Sequence, residues 1–477
     1  MALANERLGD VWTDQSDNDL GVLMVELFAH LGDLLLYYQD RLTAESYLST
    51  AAETQSIVNL LRLIGYELRP PQPASADLRL LFAADATSTI TIDSTLVFST
   101  SAAVTGSAVR FRYVGLPFVV DLSTVATTSY EGVEYKELSR TVPVQQVDRV
   151  VEGDVAGSSD ASPGQRFALA ASPLIDGSLS VFVDEGAGPV EWTLVDHLLN
   201  SSTTDMHYVV RRDADGTAWI EFGDGNYGRV PVSGRNNITV SYRVGGGEKG
   251  NVPKHSIAAE SSISDLELVV QNNPGSGGSE REDPAEASFR APRLFRSQGR
   301  AVTAADYESH ALSFGVAKTR ARALGWNRID LYIAPAGGGY PSDLLKHDLV
   351  AYFEDKRMMT AEVEIHDPVY VPLTITGELE IEPYFFADQV QEEVERALAE
   401  LFAFDAVDFE DTLYLSKVYE AIEDIEGVKA VYISNFAKGD ETVDASETTG
   451  RLEFGWDQIP DYQGVVWDSV EGGLDGG

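Results

Sequence analysis

The chain contains no cysteine in 477 residues, which excludes a disulfide framework, a thiolate metal site and a cysteine nucleophile. Also missing is a basic N-terminal region followed by an apolar core, and no stretch approaches ~20 uninterrupted apolar residues. The expectation is therefore a soluble chain with neither a secretion signal nor a membrane span. Basic residues are scarce: 35 Lys and Arg stand against 76 Asp and Glu, a formal net charge of -41 at pH 7. With no basic stripe to neutralise phosphates, nucleic acid is excluded as an expected partner. Repulsion among so many carboxylates is silenced only when salt shortens the Debye length, to ~3 Å at molar concentration, so the composition also points to a salt-loving, halophilic source.

What is present reads as an α+β multidomain protein, the 44% hydrophobic content being enough for several cores. Residues 1–71 read as an N-terminal helical docking segment. Leu20, Leu23, Met24, Leu27, Leu31, Leu34, Leu35 and Tyr38 recur at helical spacing, from an opening near Asp17 to Asp19. Ile57, Leu60, Leu61 and Ile64 mark a second helix, stopped by Gly65 and the following prolines, so the pair reads as a helical hairpin. The Leu/Tyr stripe is either an ordinary core or a face for a partner chain.

From 72 to 261 short Val/Thr/Ile/Phe runs between turn residues predict one β-rich domain, with an insertion at about 100–165 where Ser, Ala and Thr dominate. Asp215-Gly216 predicts a hairpin. Residues 262–290, containing NNPGSGGSEREDPAEAS, read as a linker. An α+β domain at 291–370 and a second at 371–435 follow, each a small sandwich with helices on one sheet face. Thr303 and Asp306 have the spacing of a helix-capping pair. The order helix, Gly-Val, strand occurs at Gly315-Val316 and again at Gly427-Val428, which reads as a structural repeat. Residues 436–477 read as an acidic C-terminal strand and tail.

No catalytic constellation emerges. The seven histidines are scattered without HExxH or His-x-His spacing, which argues against a zinc site. GGGEKG at 245–250 lacks the phosphate-loop ending, and the aspartates at 213, 215 and 224 lack a calcium-loop array, so turns are the preferred reading of both. No Gly-x-Ser-x-Gly elbow is present. The sequence thus predicts no enzyme, cofactor or bound metal. A carbohydrate-binding or carbohydrate-cleaving protein is the alternative, on the β-rich middle, the six tryptophans and the many carboxylates.

Three blocks carry a family resemblance: WTDQSDNDLGVLMVELFAHLGDLLLYYQDRLTAESYLSTA from Trp12, IEFGDGNYGRVPVSGRNNITVSYRVGGGEKGNVP from Ile220, and FRAPRLFRSQGRAVTAADYESHALSFGV from Phe289. In this order they resemble the baseplate-J-like family of contractile phage tails and contractile injection systems. The resemblance implies a structural wedge protein of the virion tail or injection particle, assembled in the host cytoplasm. It implies a dimer within each wedge and a six-fold ring around the tail hub and spike. It also implies contacts with a second baseplate wedge protein and the sheath-initiating protein, and a part in triggering contraction. Candidate interface residues are Leu27, Leu31, Leu34, Tyr38, Arg41, Arg300, Asp306 and Tyr307.

Overall fold

A computed structural model describes residues 20–101, 106–213, 216–325, 327–439 and 450–474. The described residues form two compact units, one within residues 1–68 and 282–295, the other within residues 69–281 and 296–477.

In the first unit, helix α1 spans Leu20–Ala44 and α2 spans Thr54–Leu63; the opening expected at Asp17 to Asp19 lies outside the described residues. The turn between the helices is pinned by Glu45, whose carboxylate accepts the backbone N–H groups of Ala52 and Glu53 at 3.1 and 3.2 Å. Arg41 adds a 2.5 Å ion pair with Glu53. Helix α2 buries Ile57, Val58 and Leu61 and closes where the Gly65 N–H bonds the Arg62 carbonyl. Its core is completed by α3, Pro284–Ser297, which presents Ala287 and Ala291 to Ile57, Leu61 and Tyr66. The Tyr66 hydroxyl donates to the buried Glu282 carboxylate at 2.7 Å.

Residues 262–290 are therefore not a linker. They include a strand, Leu266–Val270, paired with Ser75–Ala83, and the start of α3. Gly, Ser and Pro are used there for close packing rather than freedom: Gln271 and Ser276 are buried and Ser279 bridges to Gln72.

In the second unit the β-rich part contains two large sheets with separate cores and a two-stranded ribbon, Thr89–Ile92 with Phe118–Asp121. The first, eight-stranded sheet is centred on Ser75–Ala83, Val142–Gln146 and Arg110–Tyr113 and buries Leu78, Leu80, Phe82, Phe98, Phe111, Val142 and Val144. The second, seven-stranded sheet includes Arg149–Ser159, Ser180–Asp184, His207–Arg212, Ala218–Phe222 and Gly234–Val244, around Val181, Trp192, Tyr208, Ile220 and Tyr242. The expected insertion at 100–165 is corrected accordingly. Short segments such as RFRY and VPVQQ alternate buried residues with half-buried or exposed ones and supply inner strands of the first sheet. The 213–217 hairpin is present: Asp213 N–H bonds the Thr217 carbonyl at 2.9 Å and joins antiparallel strands, while Asp215 lies outside the described residues.

Two α+β sheets follow. In the first, Arg328–Ala334 pairs antiparallel with Lys318–Leu324 and parallel with Glu362–His366. Helices α4 (Ala304–Phe314) and α5 (Asp343–Glu354) share its core through Tyr307, Ala311, Leu349 and Phe353. In the second, Val369–Phe386 pairs antiparallel with Val428–Lys438 and parallel with Gln458–Leu474. Helices α6 (Ala387–Leu401) and α7 (Leu415–Glu423) cover it with Val390, Val394, Leu398, Val418 and Ile422. Each sheet thus has a central strand with one antiparallel and one parallel neighbour. In both, the helix preceding the antiparallel strand ends near a glycine in the left-handed region, Gly315 at φ 128° and Gly427 at φ 104°.

Candidate functional site

Helix α1 is the most unusual surface in the chain. Of its 25 residues only Val22 is buried, although Leu20, Leu23, Met24, Leu27, Phe28, Leu31, Leu34, Leu35, Leu36, Tyr38 and Leu42 are large and apolar. At ~100° per residue the apolar positions sweep about 200° of arc, and Glu26, His30, Asp33 and Asp40 share the remainder. The candidates Leu27, Leu31, Leu34 and Tyr38 stand on the apolar arc, 58, 46, 39 and 59% exposed. Arg41 stands at the edge of the same arc, its guanidinium engaged by Glu53 and the Tyr37 hydroxyl.

By length and composition alone α1 is long and apolar enough to cross a membrane. Glu26, His30 and Asp33 break up the apolar run, which concealed the helix from a search for uninterrupted apolar sequence.

The other block of candidates separates into surface and core. Arg300 is exposed. Asp306 is committed to its own helix: the Thr303 N–H bonds its carboxylate at 2.9 Å while the Thr303 hydroxyl accepts the Asp306 N–H at 3.3 Å. Partial burial works against ionisation there, but those hydrogen bonds from Thr303 and one from Val302 prevail and hold the carboxyl below its usual range. Tyr307 is 1% exposed and packs on Phe353 with ring centroids 5.4 Å apart, so it offers no surface to a partner.

The GGGEKGNVP stretch forms an internal joint instead of a ligand site. The fully buried Gln146 amide donates to the Gly246 carbonyl at 3.0 Å and accepts from Ala74 N–H at 3.2 Å. Asn251 exchanges two hydrogen bonds with Gly278, at 2.7 and 2.8 Å. Gly250 lies so close to Gln146 that a Cβ there would come within 2.1 Å of its Oε1. Next to this knot, Ser75 and Ser342 share a 2.7 Å hydroxyl bond and Asp77 accepts the Asp343 N–H at 2.9 Å, tying the first β sheet to α5. Sequence reading missed these buried amides and hydroxyls, because a polar residue that is satisfied inside carries no spacing signal. Gly223 and Gly245 lie outside the positive-φ region, unlike Gly225, Gly228, Gly246 and Gly247. A Cβ at Gly223 would collide with the Gly228 backbone at 2.3 Å, whereas one at Gly245 would meet only a tight contact, 3.1 Å from the Gln146 carbonyl oxygen.

The FGDG turn is closed by Asp224, which accepts N–H groups from Asn226 and Tyr227 at 2.8 and 2.7 Å. A cleft of about 420 Å³ is lined by Asp196, His197, Ser201 and His207. Ser201 Oγ lies 2.9 Å from His207 Nδ1, and the nearby Asp205 carboxylate approaches that same nitrogen at 4.0 Å. A nucleophile relay needs serine and carboxylate on opposite imidazole nitrogens, so this arrangement is a loop clasp.

Residues 2–63, the segment containing α1 and α2, match the family described as bacteriophage baseplate protein, N-terminal domain. The match supports the resemblance to contractile-tail baseplate proteins carried by the sequence blocks. Among solved structures, the chain is similar to one in the cryo-EM structure of the anti-feeding prophage (AFP) baseplate, 6-fold symmetrised. The identity is 12%, over 97% of this chain and 89% of that one, and the TM-score is 0.35. No curated protein matches.

Proposed function

We propose that the chain is a structural wedge protein of a contractile tail or injection-system baseplate, and that α1 is its docking helix. The observation that carries this is the exposure of the apolar arc. An isolated helix is marginal in water, and an uncovered stripe of Leu, Phe and Tyr calls for a cover. Burying each such side chain contributes about 1.5–3 kcal/mol, so a few helical turns suffice for tight association. The occupants are helices of a second copy and of the second wedge protein, in a six-fold ring around the hub that contacts the sheath-initiating protein.

Membrane insertion is the less favourable use of the same helix. Glu26 and Asp33 stand two turns apart within it, and an acidic residue at a helix centre costs ~2.5–3.5 kcal/mol in a bilayer. A carbohydrate-reading role has less support still, for none of the four described tryptophans, Trp192, Trp219, Trp456 and Trp467, lies on an open face.

Sedimentation of the purified chain, alone and with the other baseplate proteins, tests the proposal alongside negative-stain images of particles. The expected result is a defined oligomer that Leu27→Asp with Leu34→Asp dissolves while the circular dichroism is kept. A chain that stays monomeric with every baseplate component, or that floats with phosphatidylcholine vesicles, overturns it.

A further inference from the structure

The first α+β sheet carries a cluster that no sequence spacing announced. Asp330 lies on the central strand and Glu364 and His366 on its parallel neighbour, with Asp330 opposite Glu364 and Tyr332 opposite His366. The three side chains project from one sheet face and place one ligand atom each within 4.8 Å of the others. His366 Nε2 is a buried atom that makes no hydrogen bond. It stands 3.4 Å from Asp330 Oδ1 and 3.9 Å from Glu364 Oε1.

Those separations are long for hydrogen bonds and close to the edge of a metal tetrahedron. With bonds of ~2.0–2.2 Å to nitrogen and oxygen, tetrahedral ligands around zinc stand about 3.3–3.6 Å apart. The imidazole is also held in orientation, stacked on Tyr332 with centroids 4.9 Å apart and planes inclined by 24°. Tyr332 in turn meets the Trp456 edge at 4.7 Å, so the wall behind the histidine is aromatic. The Asp330 side chain is only 4% exposed, and the site opens to solvent on the Glu364 side, which is 49% exposed.

Positive charge is already drawn to this place. The Arg328 guanidinium bridges the two carboxylates, 2.9 Å from Asp330 Oδ1 and 2.7 Å from Glu364 Oε2. Arg328 is 46% exposed and lies opposite Glu362 in the strand register, so it has room to swing aside and an acidic neighbour to receive it.

We propose that Asp330, Glu364 and His366 form a site for a divalent transition-metal ion of the zinc class, with water in the fourth position and Arg328 as the competing cation. The nitrogen donor sets the class: imidazole suits zinc, nickel and copper, whereas magnesium and calcium prefer all-oxygen shells. Two carboxylates neutralise the ion, and binding requires neutral imidazole with its proton on Nδ1. The metal would clamp the two parallel strands, a structural role that goes beyond the baseplate reading and stands independently of it.

The test is calorimetric titration of the chelator-stripped full chain with zinc chloride at pH 7, with magnesium and calcium chloride as controls and thermal unfolding in parallel. The expected outcome is one zinc ion per chain and a higher Tm, with at least tenfold weaker binding in both His366→Gln and Glu364→Gln, neither a core substitution. Arg328→Gln should tighten zinc binding, because it removes the competitor. Unchanged zinc binding in His366→Gln overturns the proposal. So does an equal effect of magnesium or calcium, which would mean that a chain of this charge merely gathers counter-ions.

Discussion

The Asp77 carboxylate accepts the backbone N–H of Asp343 at 2.9 Å, at the N-terminus of α5, while its other oxygen is buried without a hydrogen bond. Burial, joined by the negative charge of Asp343, pushes Asp77 up to about 6, against the N–H bond and Lys346. The folded state therefore holds a proton that the unfolded chain releases between about pH 4 and 6. The stability linked to this group is fully present below that window and is lost as pH rises through 6. Asp77→Asn should raise the unfolding free energy at pH 8 by about 1–3 kcal/mol, and that advantage should vanish near pH 4. Urea denaturation of both proteins at pH 4, 6 and 8 checks this; a pH-independent difference counts against it.

The joint at Gln146 should be intolerant of a single methyl group. Gly250→Ala would overpack against Gln146 and Ala74 and cost about 1–3 kcal/mol. Gly65→Ala, at an open helix end with φ 76°, meets no neighbouring atom and should cost only the strain of the left-handed backbone, about 1–2 kcal/mol. Thermal unfolding of the two variants beside wild type gives the comparison, and equal losses would show that the joint is not tightly packed.

Fold and assembly should separate cleanly between two of the candidate residues. Tyr307→Ala removes a core aromatic and should cost about 3–5 kcal/mol whether or not partners are present. Leu31→Asp, on the open arc of α1, should leave the unfolding of the isolated chain within ~0.5 kcal/mol and weaken association by tenfold or more. Denaturation curves read the first effect and sedimentation the second.

Salt should act on association in the direction set by net charge. Two chains of -41 repel, and raising salt from about 0.1 to 1 M shortens the screening length from ~10 to ~3 Å. Self-association measured by light scattering should strengthen over that range. A decrease would mean that specific ion pairs, not apolar burial, hold the copies together.

Helices and their stops were readable because they rest on local chemistry. The periodic Leu stripe, the stop at Gly65, the Thr303–Asp306 cap and the two Gly-Val junctions all depend on neighbours in sequence. Division of the β-rich part into two cores was not readable, since its strands pair across distances that alternation does not encode, as between Ser75–Ala83 and Leu266–Val270. Residues 262–290 misled for a related reason: glycine, serine and proline signal freedom in a linker and close approach in a joint. At the candidate interface the stripe on α1 was legible, but burial alone removed Tyr307, and no spacing could bring Asp330 to His366 across parallel strands.

The core of the first unit has a temporal side. Ile57 and Leu61 on α2 pack against Ala287 and Ala291, so α2 waits for about 230 residues of further synthesis before its apolar face is covered. At ~5–20 residues per second this leaves it open for on the order of ten seconds or more. Through that interval the leucine arc of α1, made just before α2, is available to chaperones, to neighbouring nascent chains or to finished partners.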